Sequence, residues 1–429
     1  MNAATGLTAE FKYQLLLKIA QQVRDTLDLD EILNHLLDAL RSVIAYDAAG
    51  IFVLNEDLAH ARARLPRDLI AGIARRGYPR LESDSDPMLA FGEGIIGHVI
   101  KSGEAVIVRD VKTDPRYIVG RVPTMSEIAV PVFRHNRAIG ALNLESDRLE
   151  AFGEDDVEIL RFFADAAAIS IEKAVLHRQL VRQNLIEEQL RTAREVQARL
   201  LPSEPPAVPG FEADGICVPS YAIGGDYFDF IPLPDGRLAV VIADVSGKGI
   251  PAALIMTAFR VLLRTLARSE SEPADVMRAI NWQLPESTRR AAFVTAVYGV
   301  LEPATGRFTY AIAGHHAPLL IRASGQISEL DVGGPLLGMW DSARFLSSEV
   351  FFEPGDLILC FTDGVIETEN AAGDQFGLQR LLSDVNSVRH QTAWEIIQYL
   401  LNTIREFSGP DCCYQDDFTL VTLKRRQTG

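Results

Sequence analysis

Apolar residues recur at helical spacing along the beginning of the chain, and shorter apolar runs follow. The apolar positions of residues 15–40 lie three or four apart and are interrupted at residues 27–30, which predicts two opening helices. The short runs that come next predict strands at 48–54, 105–111, 128–133 and 138–144. The polar residues 134–137 between the last two runs predict a hairpin turn. The first part of the chain is therefore predicted to be a sheet flanked by helices.

A long helical pattern begins near Glu154 and continues until Pro202 ends it. The prolines that follow mark a domain boundary, after which short alternating runs are interspersed with helical patterns at 251–269, 273–284 and 393–406. We therefore predict three segments: residues 13–176, a linker helix at 177–201, and a mixed α/β domain at 202–425. The apolar spacing of the linker is close to a heptad, which predicts a parallel coiled coil and hence a homodimer.

Composition and charge narrow the class of protein. A chain of 429 residues suits two or three domains. Its formal net charge of -16 argues against nucleic acid and anionic lipid as ligands. The sequence has neither an apolar run long enough for a membrane helix nor a signal peptide at its start, so we expect a cytoplasmic protein. Its four cysteines lack zinc-ligand spacing.

Four aspartates in the second half of the chain lie next to glycines or apolar runs. Asp226 follows a pair of glycines, Asp244 and Asp363 each end an apolar strand-like run, and Asp416 precedes another run. A lone aspartate of this kind is usually a solvated turn or a helix cap. Several carboxylates brought together repel one another, and a divalent cation removes that cost. Oxygen ligands without histidine or cysteine favour Mg²⁺ or Mn²⁺, and two such ions would activate water against a phosphoester.

These motifs together resemble the SpoIIE-like branch of the PPM protein phosphatases. The likeness covers residues 190–425, and its segments are 193–197 with 200–202, 224–229, 244–253, 293–295, 313–319, 333–338, 354–357 and 362–365. The resemblance implies an α/β sandwich that removes phosphate from serine or threonine of a protein. It also implies two Mn²⁺ or Mg²⁺ ions whose ligands are the catalytic aspartates: Asp244 bridges both ions, Asp226 binds one, Asp363 and Asp416 bind the other, and the Val245 carbonyl is a further ligand.

Other residues of the same motifs have open roles. Asp229 and Asp417 are candidates for orienting ligands or waters. His316 stands where the family usually has asparagine, and His315 is predicted to be a packed structural residue rather than a general acid. Lys248 either offsets substrate charge or is an exposed turn lysine. The family further implies a phosphorylated STAS-type antagonist of an anti-sigma factor as substrate, and thus a role in stress-response signalling.

Residues 13–176 resemble a GAF domain, through segments 92–97, 129–132 and 139–144 and the long closing helix. The resemblance implies a sensory role but leaves the GAF ligand unknown. Because no cysteine precedes Cys217, a thioether-linked bilin or a thiolate-held iron cluster is excluded there. Asn143 echoes cyclic-nucleotide-binding GAF domains, although Leu144 replaces the charged residue expected after it.

The sequence thus predicts an α+β chain with a GAF domain, a long linker helix and a PPM phosphatase sandwich. Two rival interpretations remain open. The second half is either active or a catalytically silent signalling scaffold. Residues 224–228 also resemble the Gly-Gly-Asp signature of diguanylate cyclases, a reading that leaves Asp244, Asp363 and Asp416 without a role.

Overall fold

The computed structural model describes residues 28–57, 68–78, 89–269, 272–284, 292–409 and 416–427. The chain divides into two compact units, Met1–Leu185 and Ile186–Gly429. The first of the two predicted opening helices lies outside the described residues. The second is confirmed, and it begins at the predicted break because the Asp28 side chain accepts hydrogen bonds from the backbone amides of Asp30 and Glu31.

The first unit is one antiparallel sheet between helices. Its strand order is β3-β2-β1-β6-β5-β4. The strands are β1 (Ala48–Leu54), β2 (Leu69–Arg76), β3 (Leu89–Ala90), β4 (Val106–Val108), β5 (Ser126–Arg134) and β6 (Arg137–Ser146), and the helices are α1 (Leu29–Arg41), α2 (Gly94–Ser102) and α3 (Glu154–Ala198). One face of the sheet packs on α1 and α3, and the other packs on α2. The unit is therefore a three-layer arrangement, and its four predicted strands are confirmed.

The predicted hairpin turn between β5 and β6 is confirmed, and its loop has two residues. His135 and Asn136 both have positive φ angles, of 47° and 62°, while Arg134 pairs with Arg137. Two positive φ values are the geometry that matches the twist of a tight hairpin. A bulge between Val132 and Phe133 then shifts the register of the two strands by one residue.

Helix α3 is the longest element, with 45 residues from Glu154 to Ala198. It begins where the sequence predicts and ends one turn earlier than the predicted end near Pro202. The division between the two compact units falls inside it. The predicted limits of the linker, at residues 177 and 201, remain a prediction. Among the described residues, no helix is long and apolar enough to cross a bilayer.

The second unit is a sandwich of two sheets. The first sheet has the order β14-β11-β10-β9-β8, with β15 beside β11, and the second has the order β13-β12-β16-β17-β7. The strands are β7 (Phe211–Val218), β8 (Tyr227–Pro232), β9 (Leu238–Val245), β10 (Val294–Glu302), β11 (Arg307–Ala313), β12 (Leu319–Ile321), β13 (Ile327–Glu329), β14 (Gly333–Gly334), β15 (Ser348–Phe351), β16 (Leu357–Phe361) and β17 (Phe418–Arg425). All the pairings are antiparallel except that of β11 with β14.

Helices cover both outer faces of this sandwich. They are α4 (Ile250–Leu266), α5 (Pro273–Gln283), α6 (Asp363–Glu367), α7 (Leu378–Val388) and α8 (Ala393–Ser408). The first sheet packs on α4 and α5, the second packs on α7 and α8, and the inner faces of both sheets share a core of their own. Such layering follows from strands that are apolar on both faces. The predicted α/β sandwich is confirmed.

An ion pair between a buried aspartate and a partly exposed arginine ties α4 to β8. Asp229 is fully buried, and the Arg264 guanidinium donates to both of its carboxylate oxygens, with Nε 2.6 Å from Oδ2 and Nη2 2.9 Å from Oδ1. The Tyr227 hydroxyl and the Phe230 amide also donate to this carboxylate. A buried charge that is satisfied in this way holds its elements in one relative position.

Replacement of Arg264 by leucine leaves the Asp229 carboxylate buried without its counter-charge. We expect Arg264→Leu to lower the free energy of unfolding by about 3–5 kcal/mol. Arg268→Leu, at an exposed position just after the same helix, should change it by less than about 0.5 kcal/mol. Urea denaturation of the full chain measures both, and equal stability of the two variants would contradict a structural role for the pair.

Candidate metal centre

The four predicted aspartates lie at one edge of the sandwich because of the strand topology. In the first sheet, β8 and β9 are antiparallel and Tyr227 pairs with Ala243, so the start of β8 lies beside the end of β9. This places Asp226 next to Asp244. In the second sheet, Phe361 pairs with Leu420, so Asp363, just after β16, and Asp416, just before β17, lie at the corresponding edge.

Mutual repulsion of these carboxylates is visible in their protonation. Burial and the charge of Asp244 raise the pKa of Asp226 well above its usual range. Burial and the charges of Asp363 and Asp416 raise the pKa of Asp244 to about 7. Burial and the charge of Asp416 also raise the pKa of Asp363. All four side chains are therefore close enough to share one electrostatic environment.

Asp226 is the most firmly held of the four. Its side chain is buried, and its Oδ2 atom accepts hydrogen bonds from the Thr362 hydroxyl at 2.9 Å and the Thr419 hydroxyl at 2.6 Å. Both threonines are fully buried; Thr362 directly follows β16, and Thr419 lies on β17. They fix the orientation of a carboxylate that belongs to the first sheet. The sequence analysis assigned them no role, and their only signal was their place beside Asp363 and Asp417.

Asp417 anchors the glycine turn that precedes Asp226. Its Oδ1 atom accepts from the amide and hydroxyl of Ser220, and its Oδ2 atom accepts from the Gly225 amide at 2.6 Å and the Asp226 amide at 3.4 Å. Because both oxygens are engaged by the turn, Asp417 orients Asp226 through its backbone. The structure thus gives Asp417 a role distinct from that of its neighbour Asp416.

The close approach of two backbone segments explains why residue 225 of this turn is glycine. A Cβ atom on Gly225 would lie 2.7 Å from the carbonyl oxygen of Val245. Only glycine leaves room for that carbonyl. The predicted carbonyl ligand is therefore packed against the same turn that carries Asp226.

Four other candidate residues of these motifs, Lys248, His315, His316 and Asp229, lie in different surroundings. The Lys248 ammonium lies 3.1 Å from the Asp416 carboxylate. His315 is half-buried, with Nδ1 2.8 Å from the Thr295 hydroxyl and Nε2 3.1 Å from the Phe361 carbonyl, and its removal from water lowers its pKa to about 3. His316 stacks on the Phe361 ring. Asp229 lies in the ion pair with Arg264, away from the four carboxylates.

The donor set fits a hard divalent cation. Within the described ranges, no three acidic, histidine or cysteine side chains already stand in the arrangement of a metal site. Even so, the four converging side chains are all carboxylates, and the cost of bringing them together appears in the raised pKa values of three of them. Positive charge at this edge would remove that cost, and oxygen donors suit Mg²⁺ or Mn²⁺.

The GAF-like unit contains a second buried acidic cluster. Glu127 on β5 pairs directly with Glu145 on β6, and both are buried. The Asn143 amide donates to Glu127 at 3.0 Å and to the Tyr78 hydroxyl at 3.2 Å, and that hydroxyl donates to Glu145 at 2.7 Å. Burial, followed by the charge of Glu145, raises the pKa of Glu127 to about 8. The sequence analysis did not single out either glutamate.

Two family models match separate parts of the chain. Residues 234–426 match the model described as stage II sporulation protein E (SpoIIE), and residues 26–172 match a GAF domain. The first match contains Asp244, Asp363 and Asp416 and begins after Asp226.

Several relatives match about half of the chain. Phosphoserine phosphatase RsbU of Bacillus subtilis is 29% identical over 247 residues, which cover 57% of this chain and 72% of RsbU. Protein IcfG of Synechocystis is 27% identical over 237 residues, which cover 49% of this chain and 37% of IcfG. The crystal structure of the RsbU and RsbW domains of Rv1364c from Mycobacterium tuberculosis is 28% identical, has a TM-score of 0.45, and covers 52% of this chain and 64% of that one.

The raised pKa of Glu127 predicts a pH-dependent stability. Between its unfolded pKa of about 4.5 and its folded pKa of about 8, the folded chain holds a proton that the unfolded chain releases, so stability falls as pH rises through this window. Glu127→Gln removes this contribution. Between about pH 6 and pH 8.5, we expect the melting temperature of the variant to fall less than that of the wild type. The difference should be roughly 2–4 °C for each kcal/mol of stability that the Glu127 proton contributes.

Differential scanning calorimetry of the full chain measures this difference. Glu104→Gln, at an exposed position of the same unit, should keep the wild-type dependence on pH. Equal slopes in the wild type and in Glu127→Gln would show that Glu127 is ionised in the folded protein at neutral pH.

Proposed function

We propose that this chain is a metal-dependent phosphatase of phosphorylated serine or threonine in proteins, regulated by its GAF domain. Residues 234–426 match the SpoIIE family model, and residues 26–172 match the model of a GAF domain. The observation that carries the proposal is the convergence of Asp226, Asp244, Asp363 and Asp416 at one edge of the sandwich. An acidic edge without a cation would repel a phosphorylated substrate. With cations bound, the same edge becomes a phosphate site.

Two divalent ions, Mn²⁺ or Mg²⁺, would supply a water of lowered pKa and positive charge against the phosphoryl oxygens. Asp244 would be a ligand of both ions, as the family resemblance implies, and it lies within electrostatic reach of Asp363 and Asp416. Asp226 would hold one ion together with the Val245 carbonyl, and Asp363 and Asp416 would hold the other.

Residues around the proposed ligands hold those ligands in position. Thr362 and Thr419 keep one oxygen of Asp226 engaged and leave the direction of the other fixed. Asp417 holds the glycine turn that precedes Asp226. Lys248, half-exposed beside Asp416, adds a positive charge that suits a phosphate group. Oriented ligands of this kind raise metal affinity without contacting the metal themselves.

The substrate that we propose is a phosphorylated protein of the STAS type that opposes an anti-sigma factor. The support is the likeness of this chain to RsbU of Bacillus subtilis, whose name is phosphoserine phosphatase. The net charge of -16 does not select among phosphoproteins. The ligand of the GAF unit is not assigned.

Asp244→Asn tests the phosphatase proposal. Loss of the bridging carboxylate should reduce Mn²⁺-dependent phosphate release from a phosphoserine protein by more than about 100-fold. Asp235→Asn, an exposed aspartate in the turn at the other end of β8 and β9, should retain wild-type activity. Wild-type protein that releases no phosphate with Mn²⁺ or Mg²⁺ would favour the silent scaffold instead.

A homodimer through α3 is the assembly that we propose. Seven large apolar side chains of this helix are exposed, and they are Ile169, Leu176, Leu180, Val181, Leu185, Ile186 and Val196. Ile169 and Leu176 lie seven residues apart, and Leu180 follows four later, which is the spacing of a coiled-coil seam. A second copy of the same helix would cover them.

Leu180→Glu tests this dimer. A charge in the seam should shift the full chain toward the monomer in sedimentation velocity, by about tenfold or more in the dissociation constant. Gln189→Glu adds the same charge nine residues later, on the opposite side of the helix, and should leave the dimer intact. A wild-type protein that is monomeric at micromolar concentration contradicts the proposal directly.

A further inference from the structure

An exposed tyrosine lies on the segment that leads into the glycine turn of the candidate metal centre. Tyr221 is 59% exposed. The residues around it are anchored, because the amide and the hydroxyl of Ser220 donate to Asp417 Oδ1 at 2.8 and 3.0 Å, and Ile223 is buried. The backbone that carries Tyr221 is therefore held at both ends, while its ring faces solvent.

Lys248 connects this tyrosine to the metal centre. Its ammonium nitrogen lies 3.1 Å from the Asp416 carboxylate and 5.9 Å from the centre of the Tyr221 ring. An ammonium group near the face of an aromatic ring is attracted to it. A candidate metal ligand, a cation that suits phosphate and an exposed aromatic ring thus follow one another from the metal centre toward solvent.

This order of groups fits a phosphoserine that is part of a polypeptide. A phosphate group held by the metal ions and Lys248 would leave the neighbouring residues of its own chain within reach of the Tyr221 ring, since an extended chain advances about 3.3–3.6 Å for each residue. Tyrosine suits such a contact, because it offers a large area and has only two side-chain torsions to fix. A small phosphate ester would contact the ions and Lys248 but not the ring.

We propose that Tyr221 and Lys248 form a docking surface for the polypeptide that carries the phosphoserine, and that this surface makes the site prefer a phosphoprotein to a small phosphate ester. The proposal rests on the proposed phosphatase function and names the residue that selects its substrate class. Charge recognises the phosphate group, and the aromatic ring contacts the chain beside it. Tyr221 is therefore a specificity-determining residue and not a metal ligand.

Three substitutions separate contact with the polypeptide from other roles. Tyr221→Ala removes the ring, and Tyr221→Phe keeps the ring without its hydroxyl group. Tyr399→Ala is the matched control, at an exposed tyrosine of α8 on the outer face of the second sheet. Because both tyrosines are exposed, the melting temperature should change little in all three variants.

Binding to the full chain in the presence of Mn²⁺ is the primary measurement. The first probe is a fluorescent peptide with a non-hydrolysable phosphonate in place of phosphoserine, followed by fluorescence anisotropy, and the second is the free phosphonate amino acid as competitor. We expect Tyr221→Ala to bind the peptide about tenfold more weakly than the wild type and the free amino acid within about twofold of it. Tyr221→Phe and Tyr399→Ala should bind both probes as the wild type does.

Hydrolysis of the corresponding phosphoserine peptide gives a second readout. Tyr221→Ala should raise KM about tenfold and leave kcat within about twofold of the wild type, because a contact made equally in the ground state and the transition state affects binding alone. Its affinity for Mn²⁺ should be that of the wild type, because no metal ligand has changed.

Each other outcome decides against a specific claim. The docking surface is overturned if the wild type binds Mn²⁺ but not the peptide, or if Tyr221→Ala binds the peptide as well as the wild type does. An equal loss of affinity for the peptide and for the free amino acid also overturns it, and Tyr221→Phe as weak as Tyr221→Ala contradicts contact through the ring. A wild-type protein that binds the peptide but hydrolyses no phosphoserine contradicts the proposed phosphatase activity, and the binding data then decide on the docking surface. A wild-type protein that binds no Mn²⁺ contradicts the metal dependence itself.

Discussion

The repulsion among four carboxylates at one edge of the sandwich is the constraint on which the second unit depends. Two come from the first sheet and two from the second, so the edge exists only when both sheets are packed together. Burial first, and mutual repulsion second, raise the pKa values of Asp226, Asp244 and Asp363. The fold stabilises the edge with neutral donors, such as Thr362 and Thr419, and leaves the charge to be balanced by whatever binds there.

Sequence reasoning located these aspartates because the local pattern carries the information. An apolar strand that ends in an aspartate places that carboxylate at the edge of its sheet, and this holds for Asp244 and Asp363 whatever the rest of the fold. The partners of the other aspartates could not be read in this way. Asp229 pairs with Arg264 and Asp417 with the glycine turn only because of tertiary packing. Both aspartates occupy motif positions like those of the candidate ligands, yet their carboxylates hold the structure instead.

The GAF unit shows a different limit. The turn at His135 and Asn136 is predictable, and counting outward from it would pair Glu127 with Leu144. The bulge at Val132 and Phe133 adds one residue to one strand, so that Glu127 faces Glu145 instead. A shift of one residue thus places two like charges opposite each other in the interior. A bulge leaves no periodic pattern in the sequence, and the buried acidic cluster was missed for that reason.

Directional hydrogen bonds hold the glycine turn that precedes Asp226. Apolar packing has no preferred direction, whereas each hydrogen bond requires its own distance and angle. The Gln197 side chain engages both polar groups of Gly224, and Asp417 accepts from the next two amides. The backbone of Asp226 is therefore fixed from two sides, and its carboxylate is held separately by two buried threonine hydroxyls.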